Sequence, residues 1–244
     1  MRRRLIVNDV KREKKKGEKM EKDEKTDDDL VLHVVGEDET DIAKFNLMFD
    51  PIEYEVEKTP EGYNVRYIAV DNEPESPRQC DNFGVMVCFH GRYNLGDDEH
   101  GYRGERFSSW DELRDEIERN EDPGVILSLY LYDHSGITMK THPFNDRWDS
   151  GQVGFIFVSK DKIREEFSID NEDTITDDIL DSTKKILEGE VIIYDQYLTG
   201  DVYRLVKEKF DKDKQQIDRD IVGGYYGIES AREELKTFCV DNGE

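Results

Sequence analysis

Short apolar runs, each ended by a turn, constrain this chain more than any other feature of its sequence. Residues 125–132 read VILSLYLY and are closed by Asp133-His134-Ser135-Gly136. Runs of that length and β-branched or aromatic content suit buried strands, whereas amphipathic helices carry a period near 3.6 over ten or more positions. The same pattern marks residues 30–35, 84–90 and 151–158. Residues 53–57 and 63–70 flank Thr59-Pro60-Glu61-Gly62 and predict a hairpin. A return strand is expected at 137–140, and a late strand pair at 201–210 and 221–226.

Helical spacing is confined to a few places. Ser109 and Glu112 form an S-x-x-E capping box, and Trp110, Leu113 and Ile117 share one face. On the opposite face Asp115–Arg119 and Arg114–Glu118 stand four apart. Ser159 predicts a cap for a short helix to 167. Leu180, Leu187, Val191, Tyr194 and Leu198 predict one helix from 176 to Gly200; the alternative is a helix ending at Gly189 and a strand over 191–194. A last helix is expected at 228–238, while 41–49 fits neither period. The class expected is α+β, a largely antiparallel sheet with three or four helices and one main domain.

Charge divides the chain. Residues 1–29 hold 11 Lys/Arg and 9 Asp/Glu, a net of +2, with almost nothing apolar, and read as a disordered charged arm. The other 215 residues hold 24 Lys/Arg and 50 Asp/Glu, a net of −26. Residues 30–79 are expected to form N-terminal strands and a hairpin, and 80–244 the main domain; 30–244 as one domain is the alternative. The loop 71–78, with Pro74 and Pro77, is the best boundary.

A body this acidic excludes phosphate-backbone tracking, which needs Lys and Arg to displace counterions, and is repelled by an anionic leaflet. No run approaches the ~20 apolar residues of a membrane span, and no signal peptide is visible. Cys80, Cys88 and Cys239 are too few and wrongly spaced for a disulfide scaffold or a metal knuckle. A cytoplasmic setting is expected, with a basic protein as partner, no direct nucleic-acid binding and no membrane.

Chemistry-bearing residues gather in 80–157. These 78 residues carry four of the five histidines, both tryptophans and the two long irregular connections, where binding groups collect. In the first connection His90, Asp97 and His100 are the candidate metal ligands, two imidazoles and a carboxylate. Its alternative is a polar loop in which Asn94 and Asp97 bond their own backbone. The second cluster joins Asp133-His134-Ser135-Gly136 to Trp148-Asp149-Ser150-Gly151. His134, Asp149 and Ser150 are its catalytic candidates; a triad needs members from different loops, such as His134, Ser150 and Asp146. Asp149 does not follow an apolar strand, which argues against an aspartic-protease D-S-G. The binding candidates are Arg92, Tyr93, Asn94, Asp97, Asp133, His134, Trp148 and Asp149. Gly223-Gly224-Tyr225-Tyr226-Gly227 lacks a phosphate-binding order, and the segment from Asp211 fails as a calcium loop at Gln216 and Val222. No cofactor is expected, a divalent metal being the open alternative.

Five ordered strings carry a resemblance. They are YNLGD at 93–97, LYLYDHSG at 129–136, WDSGQVG at 148–154, YDQYLTGDVY at 194–203 and GGYYG at 223–227. Over about 80–240 the chain resembles a group of proteins carried by phages, archaeal viruses and prophages. The resemblance implies a viral or mobile-element origin and an intracellular setting, and brings no reaction with it. The expected function is binding and modulation of a host or viral protein, with mimicry of nucleic-acid charge as one route. A metal-assisted hydrolase using His90, Asp97, His100, His134 and Asp149 is the alternative, and a virion structural component the second.

Overall fold

The computed structural model describes residues 42–146 and 148–238. The predicted arm at 1–29 and the predicted strand at 30–35 lie outside them. The elements run β1 (Glu53–Lys58), β2 (Gly62–Val70), β3 (Val85–Cys88), α1 (Trp110–Glu121), β4 (Pro123–Asp133), β5 (Ile137–Lys140), β6 (Ser150–Ser159), α2 (Lys160–Glu166), α3 (Asp177–Thr199), β7 (Val202–Asp211), β8 (Gln216–Tyr226) and α4 (Ile228–Thr237). The fold is α+β, with two antiparallel four-stranded sheets in the orders β1-β2-β7-β8 and β3-β6-β4-β5. Among the described residues no helix is long and apolar enough to cross a membrane.

Two compact units share the chain. The first takes the described residues up to 70, 203–223 and from 231; the second takes 71–202 and 224–230. The first cut falls where the Pro-bearing loop begins. Residues 203–223, expected with the 80–244 segment, belong with the N-terminal strands instead. The cause is the register of β7 on β2, from Gly62 opposite Asp211 to Val70 opposite Tyr203. Pairing over that separation leaves no local sequence mark.

In the first unit the residues with no period, 42–49, cover one face of the sheet. A 3-10 turn at Ile42–Lys44 leads to Phe45, which is buried with Tyr54, Val65, Tyr67, Val206 and Phe210. Met48 N–H donates to Glu208 at 3.0 Å, and the Tyr67 hydroxyl donates to the same carboxylate at 2.6 Å. Burial, reinforced by Glu208, holds the Tyr67 phenol protonated well above its usual range. On the other face α4 buries Ala231 and Leu235, and Arg232 donates to Glu53 at 2.7 Å.

In the second unit both faces of the sheet are covered, which explains why its strands read as continuous apolar runs. Along β6, Phe155 and Phe157 face Leu113 and Ile117 of α1. Ile156 and Val158 face the core that holds Leu187, Val191 and Tyr194 of α3. The α1 cap forms as the spacing predicts: Ser109 Oγ accepts Glu112 N–H at 3.2 Å. The Glu112 carboxylate reaches Ser108 N–H at 2.7 Å, one residue beyond the expected position. Arg114 pairs with Glu118 at 2.9 Å, but Arg119 takes Glu116 at 2.8 Å rather than Asp115. Residues three apart are also neighbours on a helix, so Glu116 competes for the same cation. The helix through Gly189 is continuous and ends at Gly200, whose φ of 77° is left-handed.

Candidate functional site

The strings at 129–136 and 148–154 come together at one end of the second unit's sheet. β4 and β6 pair with Tyr132 opposite Ser150, and Asp133 N–H donates to the Asp149 carbonyl at 2.8 Å. Between them lies a shallow depression of about 330 Å³, lined among others by His90, Arg92, Leu131, Asp133, Trp148 and Asp149. Six of the binding candidates therefore converge: Arg92, Tyr93, Asp133, His134, Trp148 and Asp149. Asp133 accepts from Arg92 and from the Tyr93 hydroxyl, the latter at 3.2 Å. The Tyr93 ring stacks on His90, with centroids 5.0 Å apart.

The turn chemistry is local. Asp146 Oδ1 accepts Trp148 N–H at 2.8 Å and Asp149 N–H at 3.3 Å, an Asx-type turn. It leaves Trp148 96% exposed. His134 Nδ1 lies 3.0 Å from Asp149 Oδ2 while most of its ring faces solvent. A carboxylate on Nδ1 fixes the tautomer and leaves Nε2 as the working nitrogen, the arrangement of a general base or a hydrogen-bonding contact. Ser150 does not complete a triad, because its hydroxyl donates to the Asp146 carbonyl.

The three metal candidates are differently employed. His90 Nδ1 accepts Arg92 N–H at 3.3 Å, and His100 Nδ1 accepts Tyr102 N–H at 3.0 Å. In each ring the Nδ1 lone pair is thus engaged by a backbone N–H. His100 packs edge-on against Phe89, and burial lowers its pKa although Asp97 and Asp98 pull the other way. Among the described residues no three His, Cys, Asp or Glu side chains converge on a point suited to an ion.

Asp97 is bound into the fold. Arg78 straddles its carboxylate at 2.7 and 3.0 Å, and Met86 N–H donates to it at 2.8 Å. The same Arg78 reaches Glu190 at 2.8 Å and the Gly84 carbonyl at 2.7 Å, with its side chain only 3% exposed. Burial works against the charge of Arg78, but its two carboxylates outweigh it and its pKa rises. Glu190 also accepts Phe83 N–H at 2.6 Å. Beside this cluster Gly96 sits at φ 77°, 2.9 Å from the Tyr194 hydroxyl that accepts its N–H. A Cβ there would lie 2.6 Å from the Met86 carbonyl, so only glycine fits. Asn94 bonds the Asp98 side chain at 2.9 Å rather than its own backbone.

The strings YNLGD and YDQYLTGDVY thus meet as fold determinants. Arg78 and Glu190, which hold them together, carried no signal in the sequence beyond a charge next to a proline and a charge next to a glycine. Another depression, at Lys58, Tyr63 and Lys212 in the first unit, holds none of these strings. No family model, curated protein or solved structure matches the chain.

Proposed function

We propose that this chain is a protein-binding module of viral or mobile-element origin that engages and modulates a basic host or viral protein, a nucleic-acid-binding one being the class its charge fits. The observation that carries this reading is Trp148, an almost fully exposed indole on a chain whose sequence is 39% charged. Exposed tryptophan beside Arg92, Asp133 and Asp149 has the composition of an interface anchor with a polar rim. The net charge of −24 supports the partner class, since acidic surfaces steer basic partners and raise association rates at low salt.

Capture from host lysate at two salt concentrations, with wild type and Trp148→Ala in parallel, tests it. The expected result is a basic protein retained at low salt and weakened about 30-fold by Trp148→Ala, a hot-spot loss near 2 kcal/mol. Recovery of nothing that depends on both salt and Trp148 sinks the proposal. A metal-assisted hydrolase is the second reading; the His134–Asp149 pair favours it as an oriented general base, with His90, Asp97 and His100 engaged in other contacts. Metal analysis of protein purified without chelator decides that reading. A stoichiometry near zero, with melting unchanged by Zn²⁺, Mn²⁺ or Mg²⁺, removes it.

A further inference from the structure

The depression between β4 and β6 has an open floor. Gly151 stands opposite Leu131 in the β4–β6 register, and side chains of paired residues share a face. A Cβ at Gly151 would therefore project on the Leu131 side, which lines the depression. It would meet no atom within 4 Å beyond its chain neighbours. The depression holds about 330 Å³ and is shallow. Small-molecule sites run from about 300 to 1,000 Å³ and enclose most of their ligand. A shallow hollow at the bottom of that range has room for one side chain presented by a partner.

The charges around it select the side chain. Arg92 and Asp133 pair with each other, and the other Asp133 oxygen takes the Tyr93 hydroxyl. Asp149 is not neutralised in this way. His134 Nδ1 meets its Oδ2 at 3.0 Å, and among the described residues Oδ1 has no partner and no Lys or Arg pairs with the carboxylate. The preceding residue is Trp148, whose 96% exposure leaves its indole open on both faces. A guanidinium uses both groups at once: its plane stacks on the ring and its N–H fork reaches the carboxylate. An ammonium brings a point charge with no plane to stack. An anion would face Asp149 and would have to take Arg92 from Asp133.

We propose that this depression receives an arginine side chain of a basic partner protein, stacked on Trp148 and forked onto Asp149. The proposal rests on the reading that this end of the second unit binds such a protein. A capped Gly-Arg-Gly peptide, titrated into the full chain at low salt, tests it without the partner in hand. By NMR the Gly151 and Gln152 amides and the Trp148 indole N–H are expected to shift saturably, ahead of other surface groups. Citrulline in place of arginine keeps the shape without the charge and is expected to bind about tenfold or more weakly, and Asp149→Asn to weaken the arginine peptide by about as much. Lysine is expected to bind more weakly than arginine, and Gly151→Leu to fill the floor and abolish the Trp148 and Gln152 shifts. Asp149→Asn decides should Gly151→Leu fail to fold. Citrulline or lysine binding as tightly as arginine overturns the proposal. So do shifts spread evenly over the acidic surface, or either variant binding like the wild type. Lysate capture separates this proposal from the reading beneath it. A partner that needs Trp148 but is retained equally by Asp149→Asn and Gly151→Leu sinks the arginine site alone. Localised peptide shifts with no partner captured support the site and sink the broader reading.

Discussion

The two sheets have the same number of strands but treat their edges differently. In the second unit both outer strands have four residues, and both are closed from outside. β3 is bridged at Val87 by Gly96, while Met86 gives its N–H to the Asp97 carboxylate and accepts Asp97 N–H on its carbonyl. β5 meets Asp195 of α3, whose carboxylate takes Met139 N–H at 2.7 Å and the Thr138 hydroxyl at 2.8 Å. The first unit's sheet instead ends in the long β8 with exposed isoleucines. Carboxylates can seal a short edge one amide at a time.

Removing the seal on β3 is the most severe way to break this contrast. Arg78→Met keeps the volume and leaves Asp97 and Glu190 facing each other without their shared cation. Breaking a buried pair from one side costs about 3–5 kcal/mol, so denaturant unfolding should lose roughly that much. Adding Asp97→Asn and Glu190→Gln should recover part of it, because neutral amides tolerate the loss of the cation. A loss under about 1 kcal/mol for Arg78→Met alone would mean that the cluster does not hold the edge.

That cluster also marks where sequence reasoning stops. The strands of the second unit were legible because burial on both faces leaves continuous apolar runs, and α1 was legible through Ser109, Glu112 and its stripe. Residues 42–49 were opaque: Phe45, Leu47 and Phe49 pack as an irregular cover, which has no period. The convergence of Asp133 with Asp149 could be expected only as two turn strings, since β4–β6 pairing alone brings them together. Asp97 reads as a metal ligand for a physical reason. A carboxylate between two histidines resembles a ligand set, and the arginine that occupies it lies 19 residues upstream.

Opening the opposite edge is a smaller perturbation. Asp195→Ala removes one charged acceptor from Met139 N–H and Thr138 Oγ1, worth about 1.5–3 kcal/mol, and water can replace part of it at an edge. The Met139 amide should exchange faster while Leu129 and Ile156 in the sheet centre keep their rates. Equal exchange at Met139 in both proteins would assign the closing of β5 to α3 packing rather than to its carboxylate.

The smallest effect tests the loop that seals β3 through its own histidine. Burial lowers the His100 pKa in the folded chain, so its imidazole resists the proton that the unfolded chain accepts near pH 6.5. The unfolded state then binds more protons just below that pH, and stability falls as the solution is acidified through the unfolded value, until the folded-state ring titrates too. Protonation also removes the Nδ1 lone pair that Tyr102 N–H uses. His100→Gln cannot titrate. Between pH 7.5 and 5.5 the wild type should therefore lose more stability than the variant, read as the change in denaturation midpoint at each pH. A wild-type-minus-variant difference that stays constant over this range would mean that the ring titrates as in water and that the 98–102 loop does not desolvate it.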